Sequence, residues 1–242
     1  MTFTMDHSYA SNPYRRRVSS KSWNFVALLS LAMASFLISA VNSFGVVENG
    51  FQSWQQLQMS QGLDYSLTAI LEAENRIALQ SPSWRYTEIV PQLMWRYSPR
   101  YDFATGLEWS ASTVPGMSEI IGYQPFLETR IKWQRGRWDI SSRQRFQTGA
   151  DTEGFVAMFR QLSRIQYRLQ GFGDRLSLYA ADEWFLNLLQ GQIQENRAEL
   201  GASYALNSHM NLEFYGMLQN LWNANGVSGA IPVLGCKAIL SF

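Results

Sequence analysis

The tightest constraint on this chain is a two-residue alternation of apolar and polar side chains that recurs from residue 64 to its last residue. Successive side chains of a β-strand point to opposite faces, so each such run lays an apolar face and a polar face along one strand. In 64–76, Tyr65, Leu67, Ala69, Leu71 and Ala73 oppose Ser66, Thr68, Glu72, Glu74 and Arg76, with Ile70 as the exception. In 122–133, Tyr123, Leu127, Ile131 and Trp133 oppose Gln124, Glu128, Arg130 and Lys132. The pattern returns in 194–206 and 209–219, and similar runs fall at 86–97, 102–110, 137–148, 157–169 and 174–186. The last run places Leu234, Cys236, Ala238, Leu240 and Phe242 on one face. Many runs have the length of about nine to eleven residues that a tilted strand needs to cross a bilayer.

These runs predict an all-β fold, a closed antiparallel transmembrane β-barrel of about ten strands, with twelve as the alternative. Residues 51–60, around Trp54, are an eleventh candidate. An odd total is not expected to close with both ends on one side, so this segment lies outside the regular barrel or pairs with a short strand near 44–50. Pro91 falls mid-strand on the apolar face, and because proline cannot donate to the ladder, a bulge is expected there.

Three features favour a membrane barrel over a soluble sandwich. Charged residues make up only 16% of the chain and aromatics 14%, as expected where one face meets lipid and the other a lumen. The connections between runs alternate: short near 98–101, 134–137, 170–174 and 207–208, longer near 77–85, 111–121, 149–156, 187–193 and 220–231. Short periplasmic turns opposite longer external loops are the outer-membrane pattern. Trp and Tyr cluster at run ends, with Trp95, Tyr97, Tyr101, Trp133 and Trp138 near short turns and Trp84, Trp109, Tyr123 and Trp184 near longer loops, as two interfacial girdles would require. The terminal alternation ending in Phe242 resembles the signal that bacterial outer-membrane proteins present to the barrel-assembly machinery, with Leu240 and Phe242 as its residues and Ser241 facing inward.

Ahead of the alternation, Arg15, Arg16, Arg17 and Lys21 precede an apolar run from Trp23 to Val41 that small residues close. A basic start, an apolar middle and a small-residue end make a signal peptide, with cleavage near Ser43 or Gly45; an uncleaved anchor is the alternative. The expected organisation is therefore a signal peptide over 1–43, an N-terminal segment or extra strand over 44–63, and a barrel over 64–242.

Net charge is +1, which gives no nucleic-acid signature, and the single cysteine, Cys236, leaves no intrachain disulfide. Neither a cofactor nor a metal site is expected: of the two histidines, His7 falls in the targeting segment and only His209 follows it. Strand parity points a charged set inward. Glu72, Glu74, Arg76, Glu128, Arg130, Arg143, Arg145, Arg164, Arg168, Glu183, Arg197 and Glu199 form its nucleus, with Glu88, Arg96, Glu108 and Glu213 sharing the parity. Both signs occur on neighbouring strands, so the set reads as a lumen-filling Arg/Glu network in a structural barrel or narrow small-solute channel. The expected partners are outer-membrane lipids and the assembly machinery. One alternative is a lipid-modifying enzyme, for which only the adjacent Ser208 and His209, or a Glu128–Glu183 dyad, are available. The other is a soluble ligand-binding β-barrel, which would reverse the parity and put apolar residues inside.

Short motifs add a resemblance. Trp54, Glu128-Thr129-Arg130, Arg143-Gln144-Arg145, Glu183-Trp184-Phe185-Leu186-Asn187, and Asn196-Arg197 followed by Gly201 and Tyr204 occur in this order. Together they resemble a family of bacterial outer-membrane barrels catalogued as a domain of unknown function. The resemblance implies a barrel and an outer-membrane location, and implies no activity.

Overall fold

The computed structural model describes residues 51–242 apart from 80, 114, 115, 117, 153, 171, 173, 224 and 225. The expected signal segment and its cleavage point lie outside the described residues. Eleven strands follow in chain order: β1 (Gln52–Gly62), β2 (Leu67–Ala78), β3 (Ser81–Arg96), β4 (Tyr101–Thr113), β5 (Ile120–Arg135), β6 (Trp138–Asp151), β7 (Gly154–Arg168), β8 (Leu176–Asn187), β9 (Gln192–Asn207), β10 (Met210–Asn223) and β11 (Gly226–Ser241). Each pairs with its sequence neighbours, and β1 pairs with β11 to close the barrel.

That closure corrects the expected count of ten or twelve. Residues 52–62 are a full barrel strand, and the odd ring closes because β1 and β11 run parallel, from Gln52↔Val233 to Ser60↔Ser241. All other pairs are antiparallel. The barrel therefore begins at one mouth, with Gln52, and ends at the other, with Phe242. At the Phe242 end, Ser241 N–H donates to the His209 carbonyl and Phe242 N–H to the Ser60 carbonyl.

Connection lengths do not sort as expected. At the Phe242 end they are 63–66, 97–100, 136–137, 169–175 and 208–209; at the Gln52 end they are 79–80, 114–119, 152–153, 188–191 and 224–225. Strands reach 16 residues and absorb most of what reads as loop in the sequence. Beyond an apolar band, ladder pairing continues without needing apolar side chains, so hydropathy underestimates strand length.

Pro91 forms no bulge. β3 keeps register with β2 through Leu71↔Pro91 and resumes with β4 at Gln92↔Gly106 unshifted. The tight approach is absorbed by Gly106, where a Cβ would lie 2.5 Å from the Pro91 carbonyl oxygen. Register shifts occur instead near strand ends, at Ile77/Ala78, Phe185/Leu186, Met210/Asn211 and Leu221/Trp222.

The two faces are inverted relative to a soluble barrel. Leu127 is 66% exposed on the outside while Glu128, the next residue, is 2% exposed within. Most outward girdle residues lie as parity placed them: Trp95 and Tyr97 pack with Phe103, and Trp138 packs with Tyr167. Ile70, the exception in its run, is buried on the inner side. The apolar core also lies inside: Trp54, Tyr179, Tyr215, Met217 and Val233 cluster there, with Ile231 against them.

Candidate functional site

Alternation on β4 to β8 sends Glu108, Glu128, Arg143, Arg145, Arg160 and Glu183 into the lumen, where they form a ring of alternating charge. Glu128 accepts from Arg145 Nε at 2.7 Å. Arg145 Nη1 reaches Glu108 at 3.5 Å, and Glu108 meets Arg160 Nη1 at 3.1 Å. Arg160 Nη2 lies 3.1 Å from Glu183, which accepts from Arg143 Nη2 at 2.6 Å. Arg143 Nε lies 3.8 Å from Glu128 and completes the circuit. Arg130 adds a second donor to Glu128, and Arg197 a further cation 3.8 Å from Glu183.

Several links span more than one strand interval. Arg160 on β7 reaches Glu108 on β4, and Arg143 on β6 reaches Glu183 on β8. Arg164 on β7 holds Glu213 on β10 through both guanidinium nitrogens, at 2.7 and 3.2 Å. These are chords across the lumen rather than links along its wall. The planar guanidinium suits them because its fork donates to two carboxylates or to both oxygens of one.

Rings support the arginines from the other side. The Arg76 guanidinium lies 4.0 Å from the Trp54 ring centroid and 4.1 Å from that of Tyr86. Arg145 sits over Phe126, Arg160 over Phe185, and Arg164 over Tyr179. Each such contact supplies attraction without a second charge to desolvate. Tyr179 donates onward to Glu199 at 2.5 Å, and Tyr86 to Glu88 at 2.8 Å.

All twelve nucleus residues lie on the lumen face, but they do not form one connected set. Glu128, Arg130, Arg143, Arg145, Glu183 and Arg197 belong to the ring and its attachments. Glu74 and Arg76 pair with each other, and Glu88 lies 3.6 Å from Arg76. Arg168 stands apart near the Phe242 mouth, with Asp139 at 3.2 Å. Glu72 accepts from Gln92 at 3.0 Å. Sequence reading passed over Arg160, although it shares the parity of Arg164 and Arg168, and likewise Glu195 beside Arg197. Asp102, 2% exposed and 2.6 Å from Lys132, was also overlooked. The inward aromatics were missed for a different reason, because parity reasoning assigned rings to lipid.

A cavity of about 140 Å³ remains beside the ring, bounded by Arg143, Arg145, Arg160, Glu72, Tyr215 and Lys237 among others. A wider vestibule of about 550 Å³, lined by Arg100, Lys132, Asp139, Arg164 and Gln166, opens at the Phe242 end. Ser208 and His209 occupy the β9–β10 turn, where the His209 ring meets the Ser241 carbonyl at 2.8 Å. Glu128 and Glu183 do not pair with each other; arginines separate them.

Residues 51–229 match a family described as "Protein of unknown function (DUF2490)". The chain belongs to that family. The motif residues Trp54, Glu128, Arg130, Arg143, Arg145, Glu183, Phe185 and Arg197 meet in the ring or stack against it. Comparison with curated protein sequences gave no match. Among solved structures the chain is similar to the KdgM porin at 14% identity and TM-score 0.46, covering 72% of this chain and 84% of that one. A structure of the KdgM porin in complex with disordered oligogalacturonate matches at 15% identity and TM-score 0.45 over 74% and 91% of the two chains. An anion-selective porin from Comamonas acidovorans matches at 12% and 0.37, over 72% and 55%.

Proposed function

We propose that this DUF2490 protein spans the bacterial outer membrane as a barrel whose lumen is held nearly shut by its Arg/Glu ring, so that it passes at most small solutes. The membrane reading is supported by the inverted faces: apolar and aromatic side chains outside, ion pairs inside. A soluble ligand-binding barrel would need the opposite arrangement, with an apolar interior open to its ligand. Outer-membrane lipids surround the apolar face, and Leu240, on the strand that closes the barrel, and Phe242, just after it, are what the assembly machinery reads.

The observation that carries the narrow-pore reading is the set of chords from Arg160 to Glu108, Arg143 to Glu183 and Arg164 to Glu213. They cross the lumen, with a cavity of about 140 Å³ beside them. Buried charges in a low-dielectric interior hold each other firmly only while every partner is present. The arginines around Glu128 and Glu183 keep both carboxylates occupied, so neither is set up as a free acid or base, and no covalent chemistry is assigned.

Planar-bilayer recording of the purified full-length protein tests this. The expected result is little or no steady conductance in the unmodified protein and a clear increase in Arg145→Ala and Arg160→Ala. A large, stable conductance in the unmodified protein would replace the narrow barrel with a general diffusion channel. Loss of the protein from the outer-membrane fraction would defeat the membrane reading itself.

A further inference from the structure

The outward face of the barrel is not uniformly apolar. On β5, β6 and β7, Thr129, Ser142, Gln144, Gln161 and Ser163 point outward from mid-strand and bond to one another. Thr129 donates to Gln144 at 3.0 Å, and the Gln144 amide donates to Ser142 at 2.7 Å and to Gln161 at 3.2 Å. The Gln161 amide donates to Ser142 at 2.8 Å and to Ser163 at 3.4 Å. Beside it, toward the Gln52 mouth, Asn196 donates to Asp182 at 2.6 Å and Asn220 to Asn196 at 3.3 Å, Asn220 lying three residues from the end of β10.

This belt is hemmed in by apolar side chains on the same face. Ile131, Ile140 and Ile165 lie toward the Phe242 end, all exposed; Leu127 and Phe146 lie on the other side, also exposed. The wall made by β3 and β4 has no counterpart. Its outward residues at matching mid-strand positions include Ile89, Leu93, Phe103 and Leu107, all exposed. A second outward polar chain joins Thr87, Asn75 and Gln55 on β3, β2 and β1, but Asn75 and Gln55 lie only three residues from strand ends at the Gln52 mouth, within reach of water.

We infer that the β5–β8 belt is a lateral interface for a second copy of this chain within the membrane. This rests on the membrane reading proposed above. The amide N–H groups are taken up within the belt, but the Ser142 and Ser163 hydroxyls act there only as acceptors and keep a donor to offer, for which acyl chains provide no partner. Every neutral member of the belt both donates and accepts, which makes it complementary to itself. Copies inserted with one orientation also carry the belt at the same depth, so belt meets belt without adjustment. A two-fold axis along the membrane normal satisfies both conditions, and its interface is isologous. A hetero-partner would be recognised through a complementary charge, and the one charge here, Asp182, is already engaged by Trp184 and Asn196. Four strands at about 4.8 Å spacing and a band about 25 Å tall give roughly 500 Å² per copy. Two copies then bury about 1,000 Å², the threshold for a specific interface.

Cysteine cross-linking in intact outer membranes tests this. Ser142→Cys and Ser163→Cys are each made in a Cys236→Ala background, with Leu107→Cys on the opposite wall as control, and treated with a short bismaleimide. The expected result is a dimer band for Ser142→Cys and Ser163→Cys and none for Leu107→Cys. Q144L/Q161L should lower the dimer fraction of the detergent-extracted protein at least tenfold by native mass spectrometry while retaining heat-modifiable gel mobility. A folded, membrane-inserted protein that stays monomeric, or that cross-links equally through Leu107→Cys, would overturn the interface and leave the membrane reading intact. Cross-linking of the belt positions to a different protein would also overturn it. Absence of all variants and the parent from the outer membrane would instead defeat the membrane reading.

Discussion

Two walls of the lumen are filled by different means. From β4 to β8 the interior is a circuit of charge, in which Glu108, Glu128 and Glu183 alternate with Arg145, Arg160 and Arg143. From β10 through β11 to β1 it is packing: Trp54, Tyr215, Met217 and Val233 fill the space. The packed wall depends on missing side chains. A Cβ at Gly235 would lie 2.0 Å from a carbon of the Tyr215 ring, and one at Gly201 would lie 2.6 Å from the Tyr179 ring. The difference follows from chain geometry. Long arginines and glutamates can bridge strands whose backbones are far apart, whereas the parallel closure between two distant segments is fixed by shape.

The comparison predicts different failures for the two walls. Glu183→Ala should have the largest effect, because it strips a shared carboxylate from Arg143, Arg160 and Arg197 at once. Breaking one partner out of a buried charged set costs about 3–5 kcal/mol. Urea unfolding of vesicle-refolded protein should show the unfolding free energy fall by that amount, and an unchanged free energy would mean that the circuit bears no stability. Gly235→Val attacks the packed wall and should cost about 3 kcal/mol, the upper end for overpacking. Its signature is loss of heat-modifiable mobility on gels, and normal mobility would show that Tyr215 does not fill that space.

A smaller effect tests the seam from outside. Leu240 is buried on the outward face opposite Met59 and Met210, while Ser241 faces inward and bonds Ser60. Leu240→Asp should cost about 2 kcal/mol, an acidic residue being less costly on the lipid face than a basic one. Ser241→Asp should cost less, as read by the assembled fraction in membranes; equal losses would contradict the register. The smallest effect belongs to the mouth, where Arg168 and Asp139 are both partly exposed. Arg168→Ala should change stability by no more than about 1 kcal/mol, as for other solvent-screened pairs.

Much of this was legible in the sequence because parity is strict. The alternation around Glu128 and Arg130, or Arg143 and Arg145, gives strand, face and lumen in one reading. Arg160 was legible by the same rule and was overlooked. β1 was harder, since Gln52, Ser53, Gln55, Gln56 and Gln58 put polar residues on both faces and blur the period. Trp54 lies 2% exposed inside, which no rule assigning rings to lipid would give. The ring's chords were not legible at all, since parity reports a face and says nothing about which residues meet across the lumen.

The parallel pair has one more consequence. If each strand is drawn as an arrow, an odd ring cannot alternate throughout, and one like-oriented pair must sit somewhere; here it falls where the first and last strands meet. Without β1, the remaining ten arrows alternate without exception, since β11 runs opposite to β2. The molecule is thus a regular ten-membered ring widened by a single wedge. That wedge carries Trp54 against Arg76 and Arg197, so the element that breaks the ring's symmetry also ties the packed wall to the charged one.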